Sequence, residues 1–298
     1  MIGHDALIAD LTALHERGAL GHGYIFYGPT MVGKRTAAVA LGHFLEKGTF
    51  MPEFGVRDGG RETILQDTTI IDLAFMRFLD PDASGDSIGI DAVREVKNFL
   101  WQRPAASTRR TLIIDGAELL TTEAQNALLK VAEEPPASSL LILVTSDTES
   151  ILPTIVSRLP TIYFGAVPQK TIAAWLTAEH GVPREKAGAL AAEALGKPGI
   201  AWRLVHDEAF RNDLARAEQF LKTTPAARRD FIKKLIEPED FSLRRFLDGV
   251  ILTLAREKPS KAKSHFWHKT LQLYGAAANF NPNPRLQLEA LMKQEQHR

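Results

Sequence analysis

Residues 111–136 read TLIIDGAELLTTEAQNALLKVAEEPP. They set out a strand, a carboxylate and a helix in that order. Leu112-Ile113-Ile114 is a short apolar run rich in β-branched residues, the pattern of a buried strand in a parallel sheet. Asp115 follows at the strand's carboxyl end, where open α/β sheets place their ligand chemistry. A carboxylate there can hold Mg²⁺ through water beside a nucleoside triphosphate. An active ATPase places a second acid next, to orient the attacking water, and this chain has Gly116 at that position. The helix from Glu123 to Glu134 then stops at Pro135-Pro136.

The strand needs neighbours, and the flanking sequence supplies them. Tyr24-Ile25-Phe26-Tyr27 is a buried-strand candidate, followed by Gly28-Pro29-Thr30-Met31-Val32-Gly33-Lys34-Arg35-Thr36 and a helix to about Lys47. Strand, glycine loop and helix let backbone N–H groups and a helix N-terminus surround phosphate oxygens, with Lys34 adding a point charge. The spacing through Gly28, Gly33 and Lys34 is that of a P-loop. The next residue should carry the hydroxyl that binds Mg²⁺, but Arg35 stands there. Thr36 comes one position late, rotated about 100° around the helix. A phosphate loop with damaged metal binding is the reading.

Further candidate strands are Thr69–Leu73, Leu140–Val144 and Thr161–Phe164, and Asp91 is placed to cap a helix ending near Pro104. Thr145 and Ser146 end the fourth strand, where a hydroxyl can face a γ-phosphate or cap the following turn. Residues 48–69 read as an irregular insertion and Asp80–Asp86 as a loop. A short helix runs from Ile151 to Ser157, followed by Arg158. Strands alternating with helices argue for a parallel α/β sheet with covered faces. Past Pro168 the strand signal vanishes. A small helical group is expected to Asp207 and further helices from there to the end. Arg228-Arg229, Lys233-Lys234 and Arg244-Arg245 read as solvated faces.

Bulk properties narrow the class. The 298 residues carry 36 Lys+Arg against 36 Asp+Glu, which gives no net-charge case for wholesale nucleic-acid or membrane binding. The absence of cysteine rules out a disulfide framework and a thiolate zinc site. The start, MIGHDALIADL, lacks the features of a secretory signal, and no run reaches the ~18 apolar residues of a membrane span. A cytoplasmic location without membrane contact is expected.

Together these motifs resemble the clamp-loader branch of the AAA+ proteins. The resemblance is carried by Ile2-Gly3-His4, HGYIFYGPTMVGKR at 22–35, IGIDAVRE at 88–95 and LIID with NALLKVAEEPP inside 112–136. ILPTIVSR at 151–158 and NFNPNPRLQLEAL at 279–291 complete it. It implies an ATPase-like base over 1–166, a helical lid over 167–206 and a helical collar over 207–298. In such proteins Ser-Arg-Cys carries an arginine finger that enters the neighbouring subunit's ATP site. Ser157 and Arg158 match it, with Leu159 in place of the Cys. A lid arginine of the hydrolysing members falls on Gly199 here, and Arg203 is a poor substitute. With Arg35 and Gly116, three hydrolysis features are missing. The resemblance therefore implies a non-hydrolysing subunit among gamma/tau-type and delta-type partners, loading a sliding clamp onto primed DNA. Whether the loop is empty or holds ATP or ADP without hydrolysis stays open, and a zinc module is not expected. The alternative is a gamma/tau-type or other AAA+ ATPase that turns over its own nucleotide.

Overall fold

A computed structural model describes residues 2–49, 65–72, 87–224, 226–238, 241–256, 261–279 and 282–293. Most of the expected insertion, the loop Asp80–Asp86, and Leu73 at the end of one expected strand lie outside the described residues.

Among the described residues, five strands form one parallel sheet in the order β2-β3-β4-β1-β5. They are β1 Gly23–Tyr27, β2 Thr68–Ile71, β3 Arg110–Asp115, β4 Ser139–Thr145 and β5 Thr161–Tyr163. Tyr27 pairs in register with Thr145, and Asp115 with Val144. The carboxyl ends of β1, β4 and β3 therefore open onto one crevice, beside the point where the strand order reverses.

Alternation along each strand sends side chains to two cores. Ile25, Leu112, Ile114, Leu141 and Leu143 face one way, and Phe26, Ile113, Leu140, Ile142 and Val144 the other. Every residue of β4 is buried, so its apolar run has no solvent face. Burial of each large aliphatic side chain there contributes roughly 1.5–3 kcal/mol. The first core is closed by α3 Ile90–Trp101, α4 Thr122–Glu133 and α5 Pro153–Val156. The second is closed by α1 Asp5–Glu16 and α2 Lys34–Lys47.

The structure departs from two expectations. Asp91 does not cap α3: Gly89 is the N-cap, and Asp91 sits in the first turn, 3.3 Å from Arg94. An acid there still favours the helix N-terminus. The basic pairs of the C-terminal region are only in part solvated. Arg228 Nη1 donates to Met292 O at 2.7 Å, Arg244 stacks on Tyr274 and Arg245 pairs with Asp213 at 2.7 Å. Lys233 and Lys234 are exposed, as expected.

A buried acid fixes the outer strand. The carboxylate of Asp67, fully buried, accepts from the N–H groups of Ala105, Ala106 and Ser107 at 2.6–3.0 Å, with Arg110 at 3.3 Å. Glu46 of α2 in turn accepts from the N–H groups of Gln66 and Asp67, each at 3.1 Å. Burial raises the Asp67 carboxyl, but the three N–H donors and Arg110 outweigh it and hold the group below its ordinary value.

The chain divides into two compact units, 1–200 and 201–298. The first also contains α6 Gln169–His180 and α7 Arg184–Glu193, and α8 runs Pro198–His206. The second is helical: α9 Glu208–Lys222, α10 Arg228–Ile236, α11 Leu243–Arg256, α12 Lys261–Asn279 and α13 Pro284–Lys293. Its core gathers Phe220, Phe246, Leu247, Leu288 and Met292, with Phe220 and Phe246 in an edge-to-face pair at 5.3 Å. Asp207 caps α9 by accepting from the Phe210 N–H. Among the described residues, no helix is long and apolar enough to cross a membrane.

Candidate functional site

The loop between β1 and α2 is shaped by backbone conformations that side chains resist. Gly28 has φ 135°, and a Cβ there would meet Phe164 O at 2.3 Å, so the chain needs glycine at this point. Gly33, with φ 108°, is the N-cap of α2. Met31 adopts φ 63°, an uncommon conformation for a residue with a side chain, and its carbonyl accepts from the Gly199 N–H at 3.0 Å. A Cβ on Gly199 would come within 3.0 Å of Met31 Cβ. Met31 of the loop thus occupies the space beside Gly199. Arg203 instead bonds Asp207 at 2.9 Å and stacks on Phe210.

Lys34 is buried. Its ammonium donates to Gly28 O at 2.6 Å and Pro29 O at 2.7 Å. Burial lowers its pKa, against the pull of Glu118 and Asp115. Arg35 reaches across the crevice, with Nη2 3.4 Å from Asp72 and Nε 3.4 Å from Asp115. At these distances the contacts are charge pairing rather than well-formed hydrogen bonds. Burial pushes the Asp115 carboxyl up, with Arg35 pulling it down and Asp72 and Glu118 adding to the rise. Thr36 follows within α2.

This arrangement tests whether Mg²⁺ fits. A hydrated divalent ion needs oxygen ligands with charge to spare. Here a guanidinium already lies between the two acids, and no hydroxyl replaces it at position 35. The residues present do not fit the metal. Gly116, with φ 82°, turns the chain into the short 3₁₀ helix Ala117–Leu119. An acidic side chain at this position would be strained.

Thr145 is buried, and its hydroxyl donates to Asp147 O at 2.6 Å, tying the turn after β4. The Ser146 N–H points to the Glu118 carboxylate at 3.4 Å. Ser157 Oγ donates to Thr154 O at 3.0 Å. Arg158 is exposed, pairs with Glu133 at 2.8 Å and donates to Thr154 O at 2.8 Å. Leu159 beside it is buried in the sheet core, so the backbone is anchored where the guanidinium projects.

Gly28, Gly33, Lys34, Arg35, Asp115 and Ser146 therefore line one crevice, and Ser157 and Arg158 sit at a different edge. Four residues that reasoning from sequence passed over belong to these places: Asp72, Glu118, His4 and Glu133. His4 Nε2 lies 3.0 Å from Val32 O, with its ring edge-on to Phe164, and burial lowers its pKa. The motif Ile2-Gly3-His4 was the available signal for it. Glu118 had one as well, as the next acid after Asp115.

Comparison with known proteins places this geometry. The model of the family described as DNA polymerase III, delta subunit, matches residues 3–168, just over half of the chain. The gamma/tau subunit of DNA polymerase III from Mycobacterium tuberculosis is 32% identical over 178 residues, covering 59% of this chain and 30% of that protein. The delta′ subunit from Escherichia coli is 34% identical over 143 residues, covering 48% and 41%. The chain thus spans less than half the length of either relative. A solved gamma subunit-related protein of DNA polymerase III from Thermotoga maritima superposes with a TM-score of 0.57 at 20% identity, over 97% of this chain and 99% of that one. That likeness shows a shared fold, a parallel α/β sheet with a helical C-terminal part.

Proposed function

This chain belongs to the DNA polymerase III delta subunit family, and from that premise we propose that it is a delta′-type clamp-loader subunit without ATPase activity of its own. Its chemistry is offered outward: Arg158 enters the ATP site of a neighbouring subunit and stabilises charge in that neighbour's transition state. Gamma/tau-type and delta-type subunits are the partners, and the assembly places a sliding clamp on primed DNA in the cytoplasm. Residues 1–166 serve as the base, 167–206 as the lid and 207–298 as the collar that joins the other subunits.

The observation that carries this reading is Arg35 set between Asp115 and Asp72. Water must be oriented and a metal held for phosphoryl transfer. Gly116 offers no acid, and Arg35 fills the metal's place. The loop then works as a scaffold. ATP or ADP bound without hydrolysis is the remaining role for Lys34, and titration with a fluorescent ATP analogue decides it. A flat response is expected, because Lys34 is committed to Gly28 O and Pro29 O.

The second reading is a gamma/tau-type ATPase, favoured by the 32% identity to the M. tuberculosis gamma/tau subunit. The experiment is co-purification with gamma/tau and delta subunits, followed by clamp-stimulated ATPase with and without Arg158→Ala. Turnover by the isolated chain, abolished by Lys34→Ala, would favour the gamma/tau reading. No turnover alone, with a large Arg158-dependent rate in the assembly, supports the delta′ reading.

A further inference from the structure

Arg158 is held before it is used. It lies two residues beyond α5, and both terminal nitrogens of its guanidinium are engaged on its own subunit. Nη2 is 2.8 Å from Glu133 Oε1, and Nη1 donates to Thr154 O at 2.8 Å and reaches Ser157 Oγ at 3.4 Å. The terminal nitrogens are the groups that would meet phosphate oxygens side-on. Contact with a phosphate on another subunit therefore requires Arg158 to leave Glu133.

The holder itself is fixed. Glu133 is the last residue of α4, and Pro135-Pro136 follow after the C-cap residue Glu134. Near the other end of that helix, Gln125 Nε2 donates to Ser150 O at 3.0 Å and Leu120 O at 3.3 Å, and its Oε1 accepts from the Leu152 N–H at 2.7 Å. These bonds join α4 to the segment leading into α5. Ile155 and Leu159, both buried in the sheet core, pin the backbone on either side of Arg158. Carboxylate and guanidinium are thus presented to each other by one rigid piece, while their side chains stay 48% and 38% exposed. An exposed pair is weak and screened, so a competitor carrying more charge displaces it.

We propose that Glu133 is a positioning residue for Arg158, holding the guanidinium parked on its own subunit until a neighbour's nucleotide phosphate competes for it. This rests on the reading of Arg158 as a finger acting in trans. Glu133 thereby lowers turnover in assemblies whose neighbour is not fully docked.

The test uses the reconstituted assembly without clamp or DNA, comparing wild type, Glu133→Gln, Glu133→Asp, Arg158→Ala and the double variant Glu133→Gln/Arg158→Ala. Glu133→Gln keeps the side chain's shape and removes its charge. It should raise kcat about two- to fivefold, the range an exposed ion pair can supply, with KM for ATP little changed. Glu133→Asp should return the rate toward wild type. In the Arg158→Ala background, Glu133→Gln should have no effect, an outcome a purely structural role for Glu133 would not produce. An unchanged or lower kcat for Glu133→Gln, in an assembly where Arg158→Ala still slows turnover, overturns the parking role and leaves the finger intact. An Arg158→Ala assembly as fast as wild type overturns the finger and the parking role together.

Discussion

The crevice around Asp115 and the edge carrying Arg158 treat charge in different ways. In the crevice, cations and anions of this chain satisfy one another. Lys34 bonds the loop's own carbonyls, Arg35 spans Asp72 and Asp115, and the Gly199 N–H bonds Met31 O. At the edge, one guanidinium sits exposed in a pair that a phosphate can replace. Arg35 is as exposed as Arg158, at 40% against 38%, but it faces two carboxylates of this chain, whereas Arg158 faces one that is itself 48% exposed. Under the proposed function, the chain's chemistry lies at the edge and not in the crevice.

The largest expected effect separates the two regions directly. Arg158→Ala should slow ATP turnover at the site it serves in the reconstituted assembly by at least about 1,000-fold, the low end of the range of trans arginines. Its melting should stay near wild type, because the side chain is exposed. A rate within about threefold of wild type would erase the distinction between edge and crevice.

A buried carboxylate serving neither region supplies the calibration. Asp67→Asn should lower stability by about 2–4 kcal/mol at neutral pH, since three N–H donors and Arg110 lose their charged partner. The folded-state pKa lies below the ordinary 3.8, so the carboxylate's contribution is full above that value. It is lost as pH falls through the lower folded value. Denaturant unfolding of both proteins across that window should show their stabilities converging in acid, and a constant gap would refute the assignment.

Arg35→Ala sharpens the crevice half of the comparison. It leaves Asp72 and Asp115 facing each other without the guanidinium, and should cost about 1–2 kcal/mol, reduced because Arg35 is partly exposed. Millimolar Mg²⁺ should restore part of that loss in the variant and none in wild type, measured by thermal melting. Equal response of the two proteins to Mg²⁺ would show that the guanidinium does not occupy the metal's place.

Much of this was legible before any coordinates. Continuous apolar runs placed β1, β3 and β4, the pattern of strands buried on both faces, as at Leu140–Val144. The glycines of the P-loop announced its turn, because Gly28 cannot carry a Cβ against Phe164 O. Legible too was what Arg35 lacks, a metal-binding hydroxyl. What it gains was not, because Asp72 directly follows β2 and only the register of β2 on β3 brings it to Asp115. Glu133 was read only as part of a motif ending in two prolines, and its pairing with Arg158 depends on how α4 packs against α5. Asp91 misled as a cap because a first-turn acid and an N-cap acid look alike one or two residues apart. Arg228, Arg244 and Arg245 misled because long basic side chains cover apolar and backbone groups that periodicity does not reveal.

The most direct test of the central claim sets Lys34→Ala beside Arg158→Ala in otherwise identical assemblies and measures clamp-stimulated ATP turnover. The account predicts that Lys34→Ala stays within about twofold of wild type while Arg158→Ala falls by about 1,000-fold or more at the site it serves. Loss of turnover with Lys34→Ala, and its retention with Arg158→Ala, would show that this chain works its own site and would contradict the account.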